Sequence, residues 1–184
     1  GWNTRLLDSI ASMGTDMIRD TVPWNKVETV KGQYDFDIYN AQWLNKALDA
    51  GIEVVLAFNP THLLYDAGGT VHSAQGLKAF ASFVVATLKQ YPGVSAIEIG
   101  NEYNGNTFVT GAVAAAPKSQ RDEFYNELVS AVDAALDAAG IGVTLIGAST
   151  HSIPVDYFAD LEAGGVLDHV DAISIHPYTT PPEQ

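Results

Sequence analysis

The sequence contains no cysteine and few basic residues, and these two shortages exclude several kinds of function. Without cysteine there can be no disulfide, no thiolate metal site and no cysteine nucleophile. Only 9 Lys and Arg residues stand against 22 Asp and Glu, which gives a net charge of -13. That charge would repel phosphates, so it argues against nucleic acid or an anionic membrane as the main partner, while a neutral or basic ligand remains compatible.

Long apolar runs and nucleotide-binding motifs are also missing. No uninterrupted apolar run approaches the roughly 18 residues of a membrane span. Neither G-x-G-x-x-G nor G-x-x-x-x-G-K occurs, so the usual glycine-rich phosphate loops are absent. The first residue is Gly rather than Met, and no signal peptide is visible, so we expect a processed or cut chain.

The sequence does have a regular alternation of helical and strand patterns, within 184 residues of which 47% are hydrophobic. Helical apolar spacing is followed by a glycine and then by a short run of Val, Ile and Leu, and this unit repeats five times. The predicted helices are 5–13, 37–50, 73–90, 119–139 and 155–163. The predicted strands are 16–19, 52–58, 94–99, 143–148 and 170–175. The length fits a single domain, residues 1–184, or part of a larger one.

This alternation predicts an α/β fold with a parallel sheet covered by helices, because near-continuous apolar strands are buried on both faces. Two architectures fit, a doubly wound open sheet or a piece of an eight-stranded (β/α) barrel. The loops that follow strands are long, at 20–36, 59–72 and 100–118, whereas those that precede strands are short. Ligands bind at the carboxyl ends of parallel strands, so these long loops mark the functional side.

The strongest candidate for chemistry is Glu102, which follows the third predicted strand directly after Gly100 and Asn101. A carboxyl group beside low-dielectric walls would have a raised pKa, and could donate a proton near neutral pH. The Asn101 amide could hydrogen-bond a substrate hydroxyl. Spacing alone does not separate this interpretation from an ordinary capping or loop pair.

Polar side chains at other strand ends are further candidates. Ser174, His176 and Tyr178 share one face of the last strand, and they place an imidazole and a phenol at the edge of the sheet. Arg19 ends the first strand, where an arginine commonly holds a carboxylate ionised. Asn59 closes the second strand in a similar position. A structural histidine and a packing tyrosine are the alternative interpretation.

Three motifs together resemble clan A glycoside hydrolases, most closely families 39, 5 and 42. Arg19 is followed by a loop that resembles the W-x-x-x-E-x-x-x-G-x-Y-D-F pattern of the clan. Gly100-Asn101-Glu102 resembles the Asn-Glu that ends strand four, and Ser174-Ile175-His176-Pro177-Tyr178 resembles the S-x-H-P-Y that ends strand six. The resemblance implies a (β/α)8 TIM barrel, present here as an incomplete barrel covering strands two to six and truncated at both ends.

The resemblance also implies a role for each matched residue. Glu102 would be the general acid/base of a retaining double displacement on an oligo- or polysaccharide. Asn101 would bind the sugar 2-hydroxyl, and Arg19 would orient the nucleophile, a Glu at the end of strand seven beyond Gln184. His176 and Tyr178 would line the subsite of the cleaved sugar. We expect an extracellular or periplasmic location. We expect no cofactor and no metal.

Several other residues are weaker candidates. Those that could contact a sugar are Asn59, Trp24, Tyr65, Tyr103 and His151. Glu98 shares its strand face with Glu102 and should point into the barrel below the site, either as a partner of Arg19 or as a buried acid with a structural partner.

Two other functions stay open. A non-catalytic carbohydrate-binding relative would keep the cleft and lack the nucleophile. A metal-dependent hydrolase could use the histidines at positions 62, 72, 151 and 176, although these lie in different segments and no H-x-H or H-E-x-x-H motif occurs.

Overall fold

Five parallel strands form one sheet in sequential order, β1 to β5, in the computed structural model, which describes residues 4–38 and 41–178. The strands are β1 (Met17–Asp20), β2 (Glu53–Phe58), β3 (Ala96–Ile99), β4 (Thr144–His151) and β5 (Ala172–His176). Every neighbouring pair is parallel. The order never reverses, so the doubly wound alternative is excluded, and the sheet is the incomplete (β/α) barrel that the sequence predicts.

Helices connect successive strands, as the sequence pattern indicates. They are α1 (Thr4–Ser12), α2 (Trp24–Val27), α3 (Gln42–Asp49), α4 (Ala74–Gln90), α5 (Gly111–Ala115), α6 (Lys118–Ala139) and α7 (Val155–Ala163). Short 3-10 turns lie at Asp66–Gly68 and Val166–Asp168. No helix among the described residues is long and apolar enough to cross a membrane.

The core lies between the sheet and its helices. All four residues of β3 are buried, including the charged Glu98. On α6 the buried residues recur every three or four positions and form one face toward the sheet. The outer strands differ, since Met17 on β1 and Ile173 on β5 are about half exposed. Central strands are therefore covered on both faces, while the two edges of the sheet present apolar side chains.

The structure differs from the predicted elements by one or two residues at several boundaries and by more in three places. The helix predicted over 37–50 begins only at Gln42, and the chain before it forms a loop; residues 39 and 40 lie outside the described part. Helices α2 and α5 were not predicted, because four or five residues are too few to show a helical period. Strand β4 continues to His151, past a register irregularity between Gly147 and Thr150.

Helix boundaries elsewhere follow local chemistry. The Ser73 hydroxyl accepts a hydrogen bond from the amide of Gly76 at 3.1 Å and caps the start of α4. Gly140 ends α6 with φ +65°, in the left-handed region that glycine adopts without strain. These two signals are local, which is why the sequence shows them.

Candidate active site

The six residues singled out from the sequence all lie at the carboxyl ends of strands. Arg19 is on β1, Asn59 follows β2, Asn101 and Glu102 follow β3, and His176 ends β5 with Tyr178 two residues later. Carboxyl ends of neighbouring parallel strands meet at one edge of the sheet. The structure joins five of them into two contacting groups, one around Arg19 and one around Glu102, and Asn59 lines the cavity beside Arg19.

The first group is centred on Arg19. Its Nε donates to Oε2 of Glu98, whose side chain is 2% exposed, and its Nη2 donates to Oδ1 of Asn101 at 2.9 Å. Because Oδ1 of Asn101 accepts from the guanidinium, the amide nitrogen of Asn101 is the atom oriented to donate elsewhere. Glu98 is therefore the partner of Arg19, which was one of the two alternatives for this buried acid.

The second group is centred on Glu102, whose side chain is 14% exposed. Its Oε1 lies 3.0 Å from Nδ1 of His176, which donates to the carboxylate. The other ring nitrogen, Nε2, lies 3.8 Å from Oε1 of Glu98. His176 thus stands between two carboxylates and links the two groups. Tyr178 is largely exposed and also hydrogen-bonds Glu102, which raises the pKa of the phenol.

The backbone around Glu102 is held by β2, β4 and α6. The carbonyl of Ile99 accepts from the Tyr125 hydroxyl at 2.9 Å and from the Ser149 hydroxyl at 3.1 Å. The amide of Gly100 donates to the carbonyl of Phe58 at 2.9 Å. Glu102 itself has φ +47°, a conformation that costs a non-glycine residue free energy and that is concentrated at functional sites. Surrounding contacts therefore fix the carboxylate in one position.

The irregularity in β4 also helps to hold the backbone around Glu102. Ala148 and Ser149 both have positive φ, at +65° and +43°, where the register between β4 and β5 shifts. The bulge turns the Ser149 hydroxyl toward Ile99 and its carbonyl toward the amide of Tyr103, at 3.1 Å. Bulges commonly redirect side chains next to functional sites.

The pKa of Glu102 is lowered, contrary to the raised value expected from the sequence. The largest cause is the hydrogen bond from His176, since it stabilises the charged carboxylate. Burial acts in the opposite direction and raises the pKa, but it is outweighed, and the hydrogen bond from Tyr178 lowers the pKa further. Among the described residues, then, Glu102 is held as a carboxylate rather than as an acid.

A cavity of about 330 Å³ opens beside these residues. Arg19, Asn59 and Asn101 line it, and Phe108 from the long loop after β3 adds an aromatic ring. Phe108 was not singled out from the sequence, because nothing in a loop pattern shows which side chain turns toward the cavity. An aromatic ring beside polar amides suits a sugar, since pyranose rings have apolar faces and polar rims.

Three of the weaker sugar-contact candidates are buried instead. Trp24, Tyr65 and Tyr103 lie in the core, at 3%, 7% and 1% exposure, so none of them faces the cavity. Trp24 and Tyr65 both donate to the carboxylate of Glu28, which is also fully buried. The W-x-x-x-E pattern thus holds the loop after β1 to the loop after β2. His151 differs, because it is exposed at the end of β4.

We expect replacement of His176 by Leu to raise the pKa of Glu102. The hydrogen bond that most lowers this pKa would be lost, while the burial that raises it would remain. Carbon-13 NMR titration of the glutamate carboxyl signals measures the shift directly.

In the wild type, Glu102 should stabilise the fold above the unfolded carboxyl pKa of about 4.3, and this contribution should disappear as the pH falls through the lowered pKa of the folded state.

His169→Leu is the matched control for that titration. His169 also pairs with a carboxylate, Asp133 at 2.7 Å, but it precedes β5 and lies at the opposite end of the strand from His176. Its loss should leave the Glu102 titration unchanged. A Glu102 pKa that stays the same in His176→Leu would show that the hydrogen bond does not control the charge of this carboxylate.

Comparison with solved structures identifies the same fold in glycoside hydrolases. A family 39 glycoside hydrolase from the gut symbiont Bacteroides cellulosilyticus WH2 matches 97% of the chain, with a TM-score of 0.75 and 19% sequence identity. The catalytic domain of the GH30 xylanase C from Talaromyces cellulolyticus matches 88% of the chain, with a TM-score of 0.56 and 15% identity. A β-galactosidase from the Antarctic haloarchaeon Halorubrum lacusprofundi matches 96%, with a TM-score of 0.56 and 15% identity.

The chain spans only about a third to two fifths of those proteins, at 36%, 43% and 38% of their lengths. No protein-family model matches the sequence, and no curated protein matches it. At these identities the similarity establishes the fold, and the resemblance seen in the three motifs is confirmed at that level.

Proposed function

We propose that this chain is the central part of a retaining glycoside hydrolase, with Glu102 as the general acid/base. The observation that carries the proposal is the position of Glu102. It lies at the carboxyl end of β3 in a strained backbone conformation, hydrogen-bonded to His176 and directly after Asn101, which lines an open cavity. The fold, shared with glycoside hydrolases across nearly the whole chain, supports the same conclusion.

In the proposed reaction Glu102 acts twice. As an acid it gives its proton to the glycosidic oxygen while a second carboxylate attacks the anomeric carbon; as a base it then takes a proton from the water that hydrolyses the glycosyl-enzyme. Retaining glycosidases hold these two carboxyl groups about 5 Å apart. We place the second one, a Glu, at the end of the strand that would follow β5, outside this chain.

In the complete enzyme, that second carboxylate would change the low pKa of Glu102. A negative charge about 5 Å away disfavours ionisation of Glu102, and so raises its pKa toward the range that a general acid needs. When the nucleophile becomes esterified its charge disappears, and His176 again favours the carboxylate form of Glu102. The residue would then be an acid in the first step and a base in the second.

The residues around Arg19 would bind the sugar that is transferred. The amide nitrogen of Asn101, left free by the bond from Arg19 to Oδ1, is positioned to donate to a sugar hydroxyl. Arg19 uses Nε and Nη2 on Glu98 and Asn101, which leaves Nη1 for the nucleophile. Asn59 lines the same cavity. Tyr178, which is hydrogen-bonded to Glu102, would complete the subsite for the transferred sugar.

The exposed edges of the sheet fit this proposal. Met17 on β1 and Ile173 on β5 are about half exposed, whereas the residues of β3 are buried. Further strands that pair with both edges would cover them and close a barrel. The proposed substrate is an oligo- or polysaccharide. Because such polymers are found mostly outside the cell, the proposed location of the protein is extracellular or periplasmic.

The proposal is tested by hydrolysis with stereochemical readout on the complete protein that contains this chain. Aryl β-glycosides of xylose, glucose and galactose serve as substrates, and proton NMR follows the anomeric signal of the first product. We expect release of the phenol and a product that keeps the β configuration. An α product would refute the retaining mechanism, and no hydrolysis of any glycoside would refute the enzymatic function.

The non-catalytic alternative would bind a saccharide without cleaving it and would lack the second carboxylate. A metal-dependent hydrolase gains no support from the geometry, because no three His, Asp or Glu side chains of the described residues are arranged so that they could hold a metal ion. Hydrolysis that survives EDTA, with no metal in the purified protein, would separate the proposed enzyme from that alternative.

A further inference from the structure

The side chain of Asn104, a residue that the sequence motifs did not single out, joins the loop after β3 to the end of β4. Its Nδ2 donates to the carbonyl of His151 at 3.0 Å, and its Oδ1 accepts from the amide of the same residue at 3.0 Å. An asparagine side chain offers one acceptor and one donor group, as a peptide unit does. Asn104 therefore pairs with the end of β4 as a neighbouring strand would.

This pairing lies where the backbone register between β3 and β4 has already stopped. The last registered pair is Glu98 with Ile146, four residues before Glu102. The amide of Gly105 donates to the carbonyl of Glu102 at 2.9 Å, so residues 102–105 form one turn, and Asn104 lies inside it. Because Glu102 has φ +47°, contacts from outside the turn must hold it in this conformation.

The backbone of His151 is also paired with β5 on its other side. His151 lies opposite His176 in the register that resumes after the irregularity of β4, and the amide of Ser152 donates to the carbonyl of His176 at 2.9 Å. The side chain of His176 in turn donates from Nδ1 to Glu102 at 3.0 Å. One backbone segment therefore positions both partners of that hydrogen bond, since it is bonded to Asn104 on one side and registered with His176 on the other.

The charged and titratable groups around the Glu102 carboxylate come from three strands. His176 and then Tyr178, at the end of β5, lower its pKa by hydrogen bonding, and the charge of His151 on β4 lowers the pKa further. Glu98 on β3 faces the other ring nitrogen of His176 at 3.8 Å. The amide that bridges to β4 is neutral. Its removal changes none of these groups, so a changed titration of Glu102 would report a changed geometry.

We propose that Asn104 is a positioning residue, whose side-chain amide holds the turn that carries Glu102 at the distance from β5 at which Glu102 and His176 are hydrogen-bonded. The effect on turnover rests on the proposed function. The position of the carboxylate can be measured without any substrate.

The test without substrate is a carbon-13 NMR titration of Glu102 in the complete protein. Asn104→Ala removes both bonds to β4, and we expect it to raise the pKa of Glu102, because the hydrogen bond that most lowers this pKa would lengthen. In the His176→Leu background that hydrogen bond is already absent. There the same replacement of Asn104 should cause no further shift, since a residue that acts through His176 has nothing left to act on.

The test with substrate measures a disaccharide over a range of pH. Asn104→Ala should lower kcat by on the order of tenfold and change KM by less than about twofold, because the acid is misplaced while sugar binding is retained. The alkaline limb of kcat/KM should move to higher pH, since Glu102 would keep its proton longer. The urea midpoint should be retained, because the amide is partly exposed and water can replace its bonds.

Asn106→Ala is the matched control, since it removes an exposed asparagine side chain from the same loop, and it should change neither the titration nor the rates. An unchanged Glu102 titration in Asn104→Ala would overturn the inference, as would a loss of activity that is equal at every pH. Equal changes in the Asn106 control, or an additive shift in the His176→Leu background, would also overturn it. An absence of all hydrolysis by the wild type would instead reject the proposed function, and the titration would still decide whether Asn104 positions Glu102.

Discussion

Replacement of Glu102 by Gln should lower the turnover of an ordinary glycoside by about 100- to 10,000-fold in the complete enzyme, as general acid/base groups typically contribute. Gln is nearly the same size as Glu but cannot protonate a poor leaving group. An aryl glycoside with a good leaving group breaks without an acid, so its glycosylation step should slow much less. Disaccharide hydrolysis measures the loss of turnover on an ordinary glycoside. Steady-state and pre-steady-state measurement of phenol release gives the rate of the glycosylation step on the aryl glycoside.

Azide separates the proposed role from the others. The glycosyl-enzyme should accumulate in Glu102→Gln, because no base activates water, and azide should restore turnover as it attacks without losing a proton. The product should be a glycosyl azide of retained configuration. Loss of a nucleophile would slow both substrates alike, and so would loss of a structural Glu that lowers stability. Glu127→Gln, an exposed carboxylate on α6, is the matched control and should change neither rate. Equal losses with no azide effect would refute the role assigned to Glu102.

Replacement of Glu28 by Ala should have the largest effect on folding, and lower the free energy of unfolding by about 3 kcal/mol. The carboxylate is fully buried and accepts from Trp24 Nε1 at 2.5 Å, from the Gly32 amide at 2.6 Å and from the Tyr65 hydroxyl at 2.5 Å. Without it, two of these donors, Trp24 Nε1 and the Tyr65 hydroxyl, remain buried and unpaired. Urea unfolding followed by circular dichroism measures the loss, and the melting temperature should fall by about 10 °C.

The same contacts explain why this effect concerns stability rather than sugar binding. Glu28 joins the loop after β1 to the loop after β2, and its own carbonyl lies 2.9 Å from Nε2 of His62. Glu127→Ala, which removes an exposed carboxylate, should change the free energy of unfolding by less than about 0.5 kcal/mol. A stable Glu28→Ala protein that had lost only saccharide binding would contradict this assignment and would return Trp24 and Tyr65 to the list of sugar contacts.

The sequence determined the order and direction of the elements. Helical and strand periods are local, and glycines such as Gly140 mark the ends of helices, so the five strands could be placed within a few residues. Long loops after strands then indicated the functional edge, because parallel strands end together. For that reason Arg19, Asn101, Glu102 and His176 could be expected to lie near one another before any contact was known.

Only the tertiary structure decided the electrostatics and the burial of individual side chains. The pKa of Glu102 is lowered by His176, a residue 74 positions away in the chain, and a sequence pattern gives no distance between them. Trp24 and Tyr103 were plausible sugar contacts, yet they are buried, because the burial of an aromatic ring depends on how whole helices pack against the sheet.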